Sequence, residues 1–565
     1  MKKIVLTIVA IALVVGATIA LFMRGSDNDK SQALMPIEDP VFVYVNIEQL
    51  AAKGAFDKFV TAENRSLIAT VLSSQLENVE MAEHMKNVVT DINTIGVDTH
   101  KPVYGYLNKN LTDGIVVVSL SDVEQMDRSI ALLSYILEQN DEEAIEIVLN
   151  DGVRTFEYEE FSVAYNASTM AVVFAEREDA LSVAVDALAR PQMDMSLFGA
   201  SDMALLVNAD KCIELANVKI EEAMAELTAD YNAGELDEEM YSAQVEALAE
   251  TGDLISSYAS YFAADSKVML TSTFDLGRMT LAYKTEGVNF GEYANICKPT
   301  DIQHLSNLSK DSFAVMSAGV DGKLLAQFIR KTLSNEMLYS IGITPSNEIN
   351  MIVSIVCDAL GTIDGGVTLA IESVEGVIKS RYNPYWEEYS LEPSIDSIKA
   401  MLMADVTDTY IISNIAQFAG GFLRKVDATH YKLSLMGYNF SMGQDEGLFH
   451  LGVNATPGVQ TPSALDTEWA KDVEGALSYV VVNVDALMDS KFMQSTNTYI
   501  KKQLLEEYRE LYNSATEMVS YVYASVDSLD SAEVVVVFDN KDVNALEQIN
   551  ALVLPQLMKE CVKSL

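Results

Sequence analysis

The stretch most able to do chemistry is "RYNPYWEEYS", residues 381–390, which gathers Tyr382, Tyr385, Trp386 and Tyr389 around an Asn-Pro turn. Exposed rings there would stack on a sugar or anchor a protein partner. A hairpin whose rings cover its own strands is the expected arrangement, with ligand binding as the alternative. The titratable residues offer less. His84, His100, His304, His430 and His450 show no H-x-x-x-H spacing, and Cys212, Cys297, Cys357 and Cys561 form no C-x-x-C pair. No metal ligand set and no cofactor site follow from such spacing. The nucleophile elbow, the phosphate-binding loop and the dinucleotide fingerprint are all missing from the sequence. With 83 Asp and Glu in the chain, carboxylate pairs occur everywhere, so no glycosidase-like pair can be nominated. "DYNAGELDEEM" at 230–240 faintly resembles a calcium loop but lacks its glycine and terminal glutamate, which predicts a solvated turn between helices. Tyr508, Tyr512, Val519 and Tyr523 fall near helical spacing and predict a core stripe.

Composition narrows the class of partner. Against 83 acids stand 38 Lys and Arg, a formal net charge of −45. Nucleic acid is a poor partner, because no basic stripe is present to displace counterions, and anionic lipid surfaces are disfavoured for the same reason. The acidity reads first as solubility, and second as attraction of basic partners or divalent cations. Hydrophobic residues at 49% are enough to bury cores, and 565 residues predict several domains. The four cysteines are expected as buried thiols, with one or two disulfides open if the compartment is oxidising.

The compartment is written at the N-terminus. After Lys2 and Lys3, residues 4–23 carry no charge before Arg24, a run matching the roughly 20 apolar residues that cross a hydrocarbon core about 30 Å thick. The lysines favour a cytoplasmic N-terminus, so the bulk of the chain is expected outside the cytoplasm, in the periplasm if the cell is Gram-negative. Val15-Gly16-Ala17 and Thr18-Ile19-Ala20 offer signal-peptidase sites. The run exceeds a usual cleavable segment, however, and retention as a signal anchor over residues 1–24 is the expectation. Residues 25–38 read as an acidic polar tether.

Elements that would position a site emerge from a repeated phrase. "VFVYVNIEQL" at 41–50 returns as "MALLVNADKCIEL" at 203–215, "FAVMSAGVDGKLL" at 313–325 and "YVVVNVDALMDS" at 479–490. Each is an apolar strand ending at Asn or Gly with an acid two residues on, the pattern of a strand entering a capped helix. Asn46 and Gly319 are 273 residues apart, and Asn208 and Asn483 are 275 apart. This predicts a tandem duplication, residues 39–300 and 301–565, each α+β with helices on mostly antiparallel sheet. Helices are expected at 64–94, 122–139 and 495–525. Strands are expected at 101–108, 114–120 and within 161–175. A helix followed by a strand should close each half, with about 11 extra residues in the first, at 230–240.

The export segment, the acidic Ser26–Asp29, the "VFVYVNIEQL" phrases and "GVDTHKPVYGYL" at 96–107 together resemble a family of duplicated Bacteroidetes cell-envelope proteins described only as a domain of unknown function. The resemblance implies an envelope location and supplies no catalytic residues. Its members usually carry a lipid-attachment cysteine after the signal; position 25 here is Gly, which favours a retained helix over a lipid anchor. The expected function is that of a membrane-anchored envelope protein, structural or binding, with a protein or glycan partner. The alternative is an envelope hydrolase acting on glycan or peptidoglycan through dispersed acids.

Overall fold

The computed structural model describes residues 39–564 apart from 109–112, 141, 176–178, 190–197, 333–345, 384, 386–387 and 436. The expected anchor and tether lie outside the described residues, among which no helix is long and apolar enough to cross a membrane. The chain forms two compact units, Met1–Asn289 with Asn540–Leu565, and Phe290–Asp539. Each is α+β on antiparallel sheet.

In the first unit the strands are β1 (Val41–Val45), β2 (Val103–Leu107), β3 (Gly114–Ser119), β4 (Val148–Asn150), β5 (Val153–Tyr158), β6 (Phe161–Tyr165), β7 (Thr169–Phe174), β8 (Met203–Asn208), β9 (Phe262–Asp275) and β10 (Arg278–Val288). They pair in the order β4-β5-β6-β7-β3-β2-β1-β8-β9-β10, every neighbour antiparallel. Strands such as VFVYV and TMAVVF are β-branched and aromatic, and their period of two sends alternate residues to opposite cores. Phe42, Tyr44, Ile115 and Val173 face the helix Ala180–Leu188, whose buried Ala180, Ala184 and Ala187 permit close approach. Phe198 stacks on Phe42 and Tyr44 at centroid separations of 5.7 and 4.6 Å. On the opposite face Val45, Val118 and Val172 pack with Met126 and Ile130 of the helix Val123–Glu138. The helix expected at 64–94 is broken into Ala62–Ser74 and Val79–Thr90, because the Asn78 side chain accepts from the backbone N–H of Glu80 and Met81 and starts a new helix. The C-terminal helix Ala545–Ser564 packs on the helix Ile47–Gly54, and Asn550 Nδ2 donates to the Gly54 carbonyl at 2.8 Å.

The second unit has β11 (Cys297–Lys298), β12 (Ala314–Asp321), β13 (Ile363–Asn383), β14 (Glu388–Val406), β15 (Arg424–Lys425), β16 (Tyr431–Leu435), β17 (Tyr438–Asp445), β18 (Leu448–Val453), β19 (Ser478–Asn483), β20 (Val519–Ser528) and β21 (Ser531–Phe538). Their order is β15-β16-β17-β18-β14-β13-β12-β19-β20-β21, again antiparallel, with β11 pairing the end of β12. With β1 matched to β12 and β8 to β19, the strand order is that of the first unit. Past Ile371, β13 and β14 continue as a two-stranded ribbon, against which the helix Lys491–Gln503 packs; Ile378 N donates to Ser495 Oγ at 3.0 Å.

Several local expectations change. The helix expected at 495–525 is two helices, Lys491–Gln503 and Glu506–Thr516, followed by β20. Tyr508 and Tyr512 therefore share no helix with Val519 and Tyr523; "VSYVYASV" alternates with a period of two, the strand signature. Both units accordingly close their sheets with a hairpin, β9–β10 in the first and β20–β21 in the second, and not with a helix and one strand. Nor is the extra length of the first unit a turn insertion. Asn208 pairs with Lys267 and Asn483 with Tyr521, intervals of 59 and 38 residues, because the helices Ala209–Ala233 and Glu238–Ala259 are long and turn at Gly234, φ +79°.

The cap expectation holds at two of the four phrases. Asn46 and Asn483 accept from the backbone N–H of Gln49 and Ala486, each at 3.1 Å. Asn208 occupies the cap position, but its side chain makes no cap bond; it is buried and Nδ2 donates to the Asp39 carbonyl. At the remaining phrase β12 runs on through Gly319 to Asp321, whose Oδ1 accepts from Leu324 N at 3.1 Å. Gly319 is there because Lys298 of β11 crosses it so closely that a Cβ would sit 2.0 Å from the Lys298 carbonyl oxygen.

Candidate functional site

Among the expected ring residues, Tyr382 of β13 and Tyr389 of β14 face each other in register at the end of the ribbon. Tyr385 stands in the turn, 82% exposed. Trp386 lies outside the described residues, as does the side chain of Tyr389, so no four-ring platform is formed by the described atoms. The hairpin itself is present.

Two histidine clusters were invisible to sequence spacing because their members meet only through sheet pairing. In the first, His304 Nδ1 and Thr368 Oγ1 are 2.9 Å apart, His304 Nε2 lies 3.0 Å from Asp405 Oδ1, and Ser317 Oγ is 2.9 Å from Thr368 Oγ1. Burial works to raise the Asp405 pKa, but the His304 bond and charge and the Gly366 N–H outweigh it and hold the carboxyl below its usual range. Hydroxyl, imidazole and carboxylate stand in the order of a nucleophilic triad. Thr368 and Ser317 are nevertheless enclosed at 0% and 1% exposure, so no substrate carbonyl could reach either hydroxyl. The arrangement satisfies buried polar groups. By register, Ser317 and Thr368 occupy the places that Tyr44 and Tyr104 take in the first unit.

The second cluster lies beside it in that sheet, where His450 of β18 pairs with Met403 of β14, two residues from Asp405. His430 is held between carboxylates, Nδ1 2.9 Å from Asp427 Oδ1 and Nε2 3.0 Å from Asp445 Oδ2. Those partners raise its pKa against the opposing effect of burial. His450, buried, has its ring 5.7 Å from that of His430 and its pKa lowered by burial and by the neighbouring cation. Gly443 sits between the two rings, where a Cβ would come within 2.3 and 2.4 Å of them. With both ring nitrogens of His430 committed to carboxylates, the cluster reads as a structural clamp joining the turn before β16 to β17. Among the described residues no group of three or more His, Cys, Asp or Glu is placed to hold a metal.

A third feature is apolar. In the first unit Val41, Val43, Leu107, Val116 and Phe174 line an open groove of about 350 Å³, with Gly105 and Gly114 in its wall. Its strands β1, β2 and β3 are hydrogen-bonded on both sides. Val43 and Phe174 are 40% and 43% exposed although both sit inside strands. The sequence did signal this feature, since VFVYV and GIVVVS are apolar at both odd and even positions and two glycines fall inside strands, which marks close approach or missing volume. The described residues thus present one exposed apolar groove together with two polar networks that have structural partners.

No protein-family model matches the chain, and no curated protein matches it. Solved structures of TP0453 in crystal forms I and III are similar to it at 14% and 13% identity, with TM-scores of 0.19 and 0.20, over 50% of this chain and 87% and 88% of that one. At those TM-scores the likeness carries no functional argument.

Proposed function

We propose that the chain is a membrane-anchored, extracytoplasmic binding protein built from two duplicated α+β halves, held at the bilayer by residues 4–23. The observation that carries the binding role is the open apolar groove on doubly paired strands of the first unit, which presents hydrocarbon and no reacting group. Support for the duplication comes from register. Asn46 N donates to the Asp202 carbonyl and Gly319 N to that of Leu477; Asn208 N donates to the Pro40 carbonyl and Asn483 N to that of Phe313. These pairs preserve the offsets of 273 and 275 residues found between the repeated phrases. Membership of the Bacteroidetes envelope family, the periplasmic side and a protein or glycan partner at the Tyr382–Tyr389 tip belong to the same proposal. The hydrolase alternative gains no observation: the buried Asp202 carboxylate, pushed above its usual range by burial, is engaged by Lys53 Nζ at 2.9 Å and Phe274 N at 2.7 Å.

Alkaline extraction of membranes followed by N-terminal sequencing tests the anchor. Retention in the pellet with Met1 or Lys2 at the terminus is expected. A soluble product beginning near Thr18 or Leu21 would remove the anchor while leaving export in place.

A further inference from the structure

We infer that the groove of the first unit accepts a single fatty-acyl chain of a membrane lipid; the choice of a lipid rests on the membrane-anchored binding role proposed above. A sheet that faces water on one side alternates apolar and polar residues. β1 and β3 are apolar on both faces: Phe42, Tyr44, Ile115 and Val117 are buried in one core and Val45 and Val118 pack in the second, and on that second face Val41, Val43 and Val116 extend beyond the packed helix and turn hydrocarbon outward. Contiguous exposed hydrocarbon of this kind marks a surface that binds something apolar.

The chemistry of the groove selects the cover. A peptide bound by strand addition needs a free sheet edge, and β1, β2 and β3 have none, each being paired on both sides. A folded partner brings roughly one hydrogen bond per 100–200 Å² of interface. The side chains of Val41, Val43, Leu107, Val116 and Phe174 can neither donate nor accept one. An alkyl chain requires neither. The volume of about 350 Å³ lies at the lower end of ligand pockets, which suits one chain and not a whole two-tailed lipid.

Comparison of the units shows that the two wall glycines belong to the first unit alone. At the registers of Gly105 and Gly114 the second unit carries Leu369 and Ala400. The corresponding face there is apolar as well, with Met316, Leu369 and Val480 exposed, but larger side chains stand where the first unit has its two glycines. Proximity supplies the ligand. Residues 24–38 join the proposed membrane segment to Asp39 and hence to β1, and fifteen residues fully extended reach at most about 50 Å. A net charge of −45 opposes entry of an anionic headgroup, so the tail enters first.

The test uses the full-length chain in phosphatidylcholine vesicles with palmitic acid bearing a mid-chain diazirine, irradiated and mapped by peptide mass spectrometry. Labels are expected on 41–45, 103–107 and 114–116, reduced at least fivefold by Gly114→Leu, whose new Cβ would touch nothing nearer than Phe174 at 3.9 Å. Val43→Glu should lower them as well, by placing a charge in the groove. Labelling of residues 4–23 should be the same in all three proteins. Groove peptides that stay unlabelled, or that label equally in both variants, would overturn the inference. Failure to label 4–23 while the groove still labels would instead remove the anchor and leave acyl binding intact. A Val43→Cys chain that forms disulfide dimers in vesicles would seat a second copy on the groove and overturn it too.

Discussion

Asn483 donates from its side-chain Nδ2 to the carbonyl oxygen of Lys310 at 3.2 Å, and Asn208 makes the same reach to Asp39 in the first unit. The two amides differ in their other half. Asn483 Oδ1 also caps the helix Val484–Met488, whereas Asn208 caps nothing and is buried. Replacing Asn483 with Ala should cost about 0.5–2 kcal/mol, the worth of a cap. Asn483→Asp should be milder, because Asp still accepts from Ala486 N. Asn208→Asp should be the worst of the set, at several kcal/mol, since it puts a carboxylate against a carbonyl oxygen in a buried place. Thermal unfolding of the three variants ranks them, and equal losses for N208D and N483D would contradict the different roles.

That contrast marks how far the sequence could be read. The repeated strand-to-helix phrase located Asn46, Asn208 and Asn483 at helix starts because an N-cap depends on residues a few positions away. Whether Asn208 uses its oxygen on its own helix or its nitrogen on Asp39 is decided by a segment 169 residues distant, and no local pattern carries that. The same limit hid the candidate sites. His304 meets Asp405 across 101 residues, and the groove needs the register of three strands to bring Gly105 and Gly114 together. Tyr508 and Tyr523 misled for the converse reason: their separation fits a helix, but the β-branched and aromatic alternation from Val519 onward fits a strand better.

The Lys53–Asp202 pair gives a sharper stability test. Asp202 is buried with its carboxylate 2.9 Å from Lys53 Nζ. Lys53→Met leaves that charge without its cation and should destabilise by about 3–5 kcal/mol. Lys53→Met combined with Asp202→Asn should recover a large part of the loss. Chemical denaturation of the single and double variants measures the coupling, and additive losses would show that the pair does not act as a unit.

At Gly319 a methyl group has nowhere to go. Its Cβ would lie 2.0 Å from the backbone oxygen of Lys298 and 2.7 Å from that of Pro299, and backbone cannot rotate aside as a side chain can. Gly319→Ala should therefore detach β11 from β12 or strain both strands, at about 1–3 kcal/mol or more. The matched position in the first unit already carries the larger Asn46, so Asn46→Ala should remove only a cap, about 0.5–2 kcal/mol. A Gly319→Ala protein with unchanged thermal stability would mean that the β11 contact is dispensable.

The clamp at His430 should respond to pH in a predictable direction. Its pKa is raised in the folded chain by the bond to Asp427 and then by Asp445, with burial opposing. Its contribution to stability is thus complete below the unfolded value of about 6.5 and is lost as pH rises through the folded pKa. Asp427 is lowered, by the backbone N–H of Thr429 first and by His430 next. Its contribution is complete above an unfolded value of about 3.9 and is lost as pH falls through the folded pKa. Between those limits, roughly pH 4 to 6.5, the clamp is fully closed. His430→Gln should lower the unfolding midpoint at pH 6 and matter progressively less as pH rises past the folded His430 pKa. Removing that cation also removes one of the two causes that depress His450, so the imidazole resonances of His450 should titrate at higher pH in the variant. A wild-type advantage that stays constant from pH 6 to 9, or a His450 titration that does not move, would show that the carboxylates around His430 do not hold it as an imidazolium.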